Sequence, residues 1–372
     1  MKILKNVFKY LLMLVILLAA FTYYHSLSNA PVTTEEILRD DEAAQIQRSK
    51  ENFIKVIEEN KTSYVARGAH AKGHACVRAY FDVLQTITPE LQYGIFSSPG
   101  KRYKGWIRFS NGRSSMKGNH DAHKDAHGMA IKLFHIYDNA SVRADEGTET
   151  QDFLMHDSPV FFAADIEDYN RFVESDDKIL YFFAGINPFR WNLRELMHGL
   201  ATLKTPPVSP LWSQYFSNTA YKLGPHNIKF SAKSCGEAPD GTVQNIVEQD
   251  TGDPDFLRKT MAKELQNGEG CFNFMVQLQD PEKYMPIEDP SILWKESDSP
   301  FISLAKIIIP KQEFDSEEQQ MFCENLSFSP WNALSEHRPI GQLNRIRKEV
   351  YETSSKYRHD NNRTDIPALL DW

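Results

Sequence analysis

The stretch RIRKEVY, residues 345–351, sets three cations and a carboxylate around a single tyrosine. Arg347 and Tyr351 are four residues apart, so on a helix their side chains share one face, a turn apart. A phenol held beside a guanidinium has two readings. It is a packed tyrosine with a hydrogen bond, or it is a phenolate, kept ionised by its neighbour, that ligates ferric iron. The second reading needs a whole domain built to receive the metal, so the rest of the chain decides between them.

At 372 residues the chain can bury a large core in one big domain or two ordinary ones. Its 41% hydrophobic and 25% charged content is that of a globular protein. A formal net charge of -8 argues against a general nucleic-acid binder, because no broad face could neutralise phosphates. Cys76, Cys235, Cys271 and Cys323 form no CxxC pair, so the usual zinc and thioredoxin spacings are absent. They read as buried thiols rather than disulfides.

Residues 1–30 read as a signal or anchor segment outside the fold. Lys2, Lys5 and Lys9 precede YLLMLVILLAAFTYY, fifteen residues from Tyr10 to Tyr24 with Thr22 as the strongly polar member. A membrane span needs about 20 apolar residues, which Val7, Phe8 and a snorkelling Lys9 nearly supply. Membrane attachment through residues 7–24 is therefore expected, with the folded part outside the cytoplasm. A cleaved periplasmic form is the alternative, although Pro31 after Ser28-Asn29-Ala30 disfavours cutting there.

Residues 31–62 read as a helical arm. Thr33 and Glu36 have capping-box spacing, and Ile37, Leu38, Ile46, Phe53, Ile54 and Ile57 recur at roughly helical intervals. From residue 63 to 372 the texture changes. GWIRFSNG (105–112), GMAIKLFHI (128–136), NIKFSAK (227–233), CFNFMVQLQ (271–279) and FISLAKIII (301–309) alternate as strands do. Helices are predicted around 186–204, 254–267 and 342–360, the first ended by TPPVSP. The class is α+β with an antiparallel sheet or barrel. NHDAHKDAHG (119–128) gathers His120, Asp121, His123, Asp125 and His127. A polar loop is favoured there over a second metal site, because the segment runs straight into a strand.

Residues 67–83, RGAHAKGHACVRAYFDV, resemble the distal-histidine motif of the haem catalases, Arg-x-x-His-Ala-x-Gly followed by an aromatic strand. IRFSNG, DAHGMAIKLF, DFLMHDSPVFFAADIEDY and RIRKEVYETSSKYR resemble four further catalase segments, in the family's order. Together the five matches span about 290 residues. The resemblance implies a catalase-type antiparallel β-barrel with flanking helices, lacking the C-terminal helical and flavodoxin-like domains of larger members. It implies haem b as cofactor and hydrogen peroxide or organic hydroperoxides as substrates, with a homo-oligomer possible.

Carried over residue by residue, the resemblance makes Tyr351 the axial ligand of the haem iron, with Arg347 on its oxygen. Arg67, Arg108 and Arg358 fall where the family holds haem propionates, a task suited to the bidentate guanidinium. Phe161 falls against the haem plane, and Tyr169 where a second phenylalanine is common. His70 becomes the distal base, supported by Ser110, and the implied reaction is peroxide consumption through ferryl-oxo chemistry.

Two positions depart from the family. The distal asparagine that steers peroxide is His156 in Asp152-Phe153-Leu154-Met155-His156-Asp157-Ser158-Pro159, and the arginine of Asp-x-Arg-Gly is His127. A histidine ordinarily titrates near pH 6.5, so weak dismutation, a lean towards peroxidase activity and an extra pH limb between 5 and 8 are expected. Two other readings of the same scaffold stand beside this one. One is a haem enzyme that rearranges or cleaves fatty-acid hydroperoxides; the other is a non-enzymatic haem-binding protein, which would not need His70.

Overall fold

The computed structural model describes residues 2–25, 30–136, 150–236 (apart from 176, 184, 186 and 188–190), 252–368 and 372. Among these, nine strands form one antiparallel sheet. They are β1 (Gly73–Val83), β2 (Arg102–Asn111), β3 (His127–Phe134), β4 (Thr150–His156), β5 (Gln214–Phe216), β6 (Tyr221–Leu223), β7 (His226–Ser234), β8 (Gly270–Leu278) and β9 (Ile302–Ile309). The order runs β5-β4-β3-β2-β1-β9-β8-β7, and β5 also pairs with β7. That last pairing closes eight strands into a barrel, with β6 attached to β7. Closure satisfies the strand edges that an open sheet would expose.

The strands form where alternation predicts them, because successive side chains serve opposite faces. Val77, Ala79 and Phe81 of β1, Ile107 and Phe109 of β2, and Met129, Ile131 and Leu133 of β3 point inward and are buried. Phe274 on β8 lies at the centre, its ring 4.7–6.0 Å from those of Phe81, Phe96, Phe153 and Phe230. Such aromatic packing, part stacked and part edge-on, fills the barrel interior with side chains.

Helices cover the outside. The arm helix α2 (Glu42–Glu59) packs on α3 (Ile166–Glu174) and on the long α8 (Gln342–Asn362). Of the predicted helix over 186–204, the structure describes α5 (Leu193–Thr202), which follows the short α4 (Lys178–Phe182). Helices α6 (Phe256–Asn267) and α7 (Glu317–Asn325) lie against β1.

The arm departs from its expected start. Its helix begins at Glu42, not near Thr33, because Glu36 is engaged elsewhere. Glu36 accepts from Arg338, from the Gly341 N–H and from Arg345 at 2.7–2.9 Å. Arg345 also bonds Glu42 (2.7 Å) and Glu288 (3.2 Å). One guanidinium thus joins the arm, the loop at 288 and the first turn of α8.

Two further expectations need correction. The apolar N-terminal stretch lies in helix α1 (Lys2–His25), but no helix among the described residues is long and apolar enough to cross a membrane. Its run from Tyr10 to Tyr24 is fifteen residues, short of the roughly 20 that a span requires. A membrane span through 7–24 is not supported. The cysteines are not free thiols: Cys76 of β1 bonds Cys323 of α7, and Cys235 bonds Cys271 of β8. Their Cα atoms lie 5.9 and 5.4 Å apart, within bridging range. Sequence separations of 247 and 36 gave no local signature. In protein isolated without reductant and then denatured, a thiol reagent is expected to find none of the four cysteines until a reductant is added. Four reactive thiols before reduction would contradict both pairings.

Candidate functional site

The outer faces of β2, β3 and β4 build one wall of a cavity of about 270 Å³. Register makes this wall. Arg108, Ala130 and Leu154 lie directly opposite one another, and so do Ser110, Gly128 and His156. Since Ile107 and Phe109 point into the barrel, the two-residue period turns Arg108 and Ser110 outward to the cavity. The facing wall comes from α8, which contributes Arg347, Tyr351 and Arg358, and Phe161 and Tyr169 close a third side. Every residue that the resemblance assigned to the site borders this one cavity, Arg67 and His70 included.

His70 is held in an unusual backbone state, with φ of 54°. Its N–H bonds Gly112 O at 3.1 Å, and Ala71 N–H bonds Arg113 O at 3.0 Å. A non-glycine residue there is strained by about 1–3 kcal/mol and persists because its surroundings fix it. The Nδ1 atom lies 3.1 Å from Ser110 Oγ. Burial, with His156 and Arg108 adding positive influence, pushes His70 down to about 3.

His156 is pulled down to about 4 by burial, against the opposing pull of Asp157. Its Nδ1 accepts from the Ser158 N–H at 3.2 Å, which leaves the ring's hydrogen on Nε2. The expectation that His156 changes charge between pH 5 and 8 is therefore corrected: removal from water favours the neutral ring.

On the other wall, Arg347 donates to Tyr351 Oη at 3.2 Å, with its guanidinium carbon 5.3 Å from the phenol ring centre. Asn344 Oδ1 (3.1 Å), Thr219 and Tyr221 hold the rest of that guanidinium. Its pKa is raised despite burial, because the phenol oxygens of Tyr351 and Tyr221 favour the cation. At the far end Arg67 and Arg108 both reach the Glu324 carboxylate, at 2.5 and 3.2 Å. Arg358 donates to the Glu324 backbone carbonyl. Burial and the neighbouring Arg67 bring Arg108 and Arg358 down to about 10, so both remain protonated at neutral pH.

Two features escaped the sequence. Glu324 carries no local signal that separates it from the other acids of α7. His127, left uninterpreted above, is buried and bonds Asp157 Oδ2 through Nδ1 at 3.0 Å, while its N–H bonds Asp157 Oδ1 at 3.0 Å. That clasp fixes the chain just past His156. The remainder of the histidine cluster disperses, with Asp121 on Lys72 and Asp125 near Arg113. No group of three metal-ligating side chains occurs among the described residues.

Comparison with known proteins agrees with this architecture. The catalase family model matches residues 34–180. A catalase from an Onchocerca volvulus endobacterium is 22% identical over 334 residues, covering 83% of this chain and 64% of that protein. Peroxisomal catalase A of Saccharomyces cerevisiae is 24% identical over 341 residues, covering 83% and 61%. Among solved structures, a fungal catalase superposes with a TM-score of 0.61 at 17% identity, over 84% of this chain and 62% of that one. The yeast catalase A structure gives 0.60 at 18% identity, over 91% and 68%. These likenesses show the catalase fold and support membership of the haem catalase superfamily. It spans about six-tenths of the length of these curated relatives.

Gly128 shows how tightly the distal wall is packed. A Cβ there would lie 2.6 Å from His70 Nδ1 and 2.9 Å from Ser110 Oγ. Gly128→Ala is expected to leave the barrel folded but to push His70 off Ser110. A displacement of this kind would cost about 10²-fold in a reaction that uses His70 as its base. The histidine C–H and N–H resonances in NMR spectra, recorded beside circular dichroism, would check the displacement, and an unchanged His70 environment would show that the Cβ is accommodated.

Proposed function

We propose that the protein is a haem-dependent oxidoreductase that consumes peroxides, leaning towards peroxidase activity with organic hydroperoxides. The observation that carries this reading is the Arg347–Tyr351 hydrogen bond facing the same cavity as the His70–Ser110 pair. The donor set suits haem b. Tyr351 offers a phenolate oxygen to ferric iron, and Arg67, Arg108 and Arg358 offer guanidiniums to the propionates. Arg108 Nε is buried without a protein hydrogen-bond partner, free to meet an anion. Phe161, Leu154 and Val350 supply apolar wall for a flat macrocycle.

Haem supplies the iron at which the O–O bond of a peroxide is broken. The protein's part is positional and acid–base. Arg347 donates a hydrogen bond to the Tyr351 oxygen and would offset the charge of a phenolate bound to iron. His70, neutral above about pH 3, can take a proton from one peroxide oxygen at Nε2 and return it to the other, with Nδ1 engaged by Ser110. His156 brings a donor Nε2–H where the family has an amide, on a ring larger than the asparagine it replaces. The residue beyond it, Asp157, is fixed by His127. Bulk beside the distal base works against the tight hydrogen peroxide geometry that dismutation requires. Leu343, Ile346 and Leu154 on the cavity wall favour organic peroxides.

Location outside the cytoplasm is part of the same proposal. Its support is the pairing of all four cysteines, since disulfides persist in oxidising compartments. Finding reduced thiols in protein taken from its native host would count against it.

Tyr351→Phe is expected to lose most of its haem, because no other side chain on that face of α8 supplies an anionic ligand. His70→Ala should retain haem and lose about 10²–10⁴-fold in peroxide reactivity. Absorption spectra and single-turnover kinetics separate the two effects. Full haem content in the phenylalanine variant would sink the ligand assignment.

For His156, dye oxidation and oxygen evolution should be measured on one haem-loaded preparation. Since both distal imidazoles stay neutral above about pH 4, their titration adds no limb between pH 5 and 8. His156→Asn is expected to raise oxygen evolution relative to dye oxidation. A wild type that evolves oxygen briskly, with no gain in the variant, would make this a small catalase.

A further inference from the structure

Resting on the haem reading, we infer that Glu324 is an internal counter-ion that stands in for the ligand's carboxylates. It stabilises the ligand-free arginine cluster and lowers the affinity for haem. The argument begins with charge. Arg67, Arg108 and Arg358 converge at one end of the cavity, and two of them are nearly inaccessible to solvent. Without an anion, three buried or half-buried guanidiniums repel one another in a poorly screened place. Among the described residues, the one carboxylate hydrogen-bonded to them is that of Glu324, with Arg67 Nη1 at 2.5 Å and Arg108 Nη2 at 3.2 Å. Its carboxyl pKa is lowered despite burial, chiefly by Arg67 and Arg108.

Placement separates this role from simple ligand contact. The three arginines line the cavity and Glu324 does not, so its carboxylate meets them from behind. The arginines have other anchors that would outlast its loss. Arg67 donates to Cys323 O and Leu326 O at 2.9 and 2.8 Å, Arg108 to Ala71 O at 3.1 Å, and Arg358 to Glu324 O. Removing the charge of Glu324 therefore leaves the guanidiniums largely in place but unbalanced. The backbone that carries the carboxylate is also fixed in position, because the preceding residue, Cys323, is bonded to Cys76 of β1. Glu324 cannot leave as a loop residue could, and its carboxylate competes with any carboxylate arriving from the cavity side.

The test uses Glu324→Gln, which keeps shape and removes charge, with Glu324→Asp as the variant that retains it. Three quantities are read on the full chain: thermal midpoint without haem, affinity for protohaem by absorption titration, and affinity for protohaem dimethyl ester, which lacks carboxylates. The glutamine variant is expected to melt earlier and to bind protohaem on the order of tenfold more tightly. Its ester affinity should be unchanged, and the aspartate variant should resemble wild type. If the ligand-free glutamine variant cannot be purified, haem transfer from the loaded protein to excess apomyoglobin gives the same comparison, and slower loss is expected. Equal or weaker protohaem binding by the glutamine variant would overturn the inference, as would parallel changes for the ester. A wild type that binds neither porphyrin would instead sink the haem reading on which this rests.

Discussion

Closure of the barrel is the constraint from which the site follows. Once β5 pairs with β7, every strand in the ring has an inner face committed to packing and an outer face released for other use. On β2 to β4 that outer face is the distal wall. Register then decides chemistry: Ser110, Gly128 and His156 stand in one row because their strands pair in that phase. A slip of one residue would turn Phe109 and Met129 to the cavity and bury Ser110 in the core. The aromatic core therefore fixes which polar atoms face the cavity.

The other half of the site has a different origin. Helix α8 brings Arg347, Tyr351 and Arg358 to one face by its own periodicity, and this needs no help from the sheet. Facing a helix across a barrel wall lets two rigid elements define the cavity, and rigid elements hold geometry better than loops. His70 is the exception. It sits in a turn ahead of β1, with a backbone conformation that the surrounding hydrogen bonds must hold against its preference.

Much of this was legible in the sequence, for physical reasons that differ by element. The strands were legible because their inner residues are large and apolar at every second position. The site residues were legible through the order and spacing of five motifs, and all of them border one cavity. Cys76 and Cys323 were not, because their meeting depends on how α7 lies on β1, and nothing across a sequence separation of 247 encodes that locally. Glu324 was hidden for the same reason. Thr33 and Glu36 misled because a capping pattern records only local options, and Glu36 found stronger partners in Arg338 and Arg345. His156 borders the cavity with the other motif residues, but it was read with the pKa of an exposed imidazole, which burial then overrode.

The knot at Arg345 has a mechanical consequence. Its partners Glu36 and Glu42 belong to the arm, Glu288 to a distant loop, and the guanidinium itself to the first turn of the helix that carries Tyr351 and Arg358. The helix is thus pinned at its root by ion pairs and towards its far end by the Arg358–Glu324 and Asn362–Val65 hydrogen bonds, and it runs past the cavity like a beam held at both ends. The phenol of Tyr351 lies between the two clamps, so its excursions relative to His70 depend on how stiffly both are held. At the root that stiffness is ionic and largely shielded from water, with the Arg345 side chain 13% exposed. Dissolved salt screens such a clamp far less than it screens surface pairs.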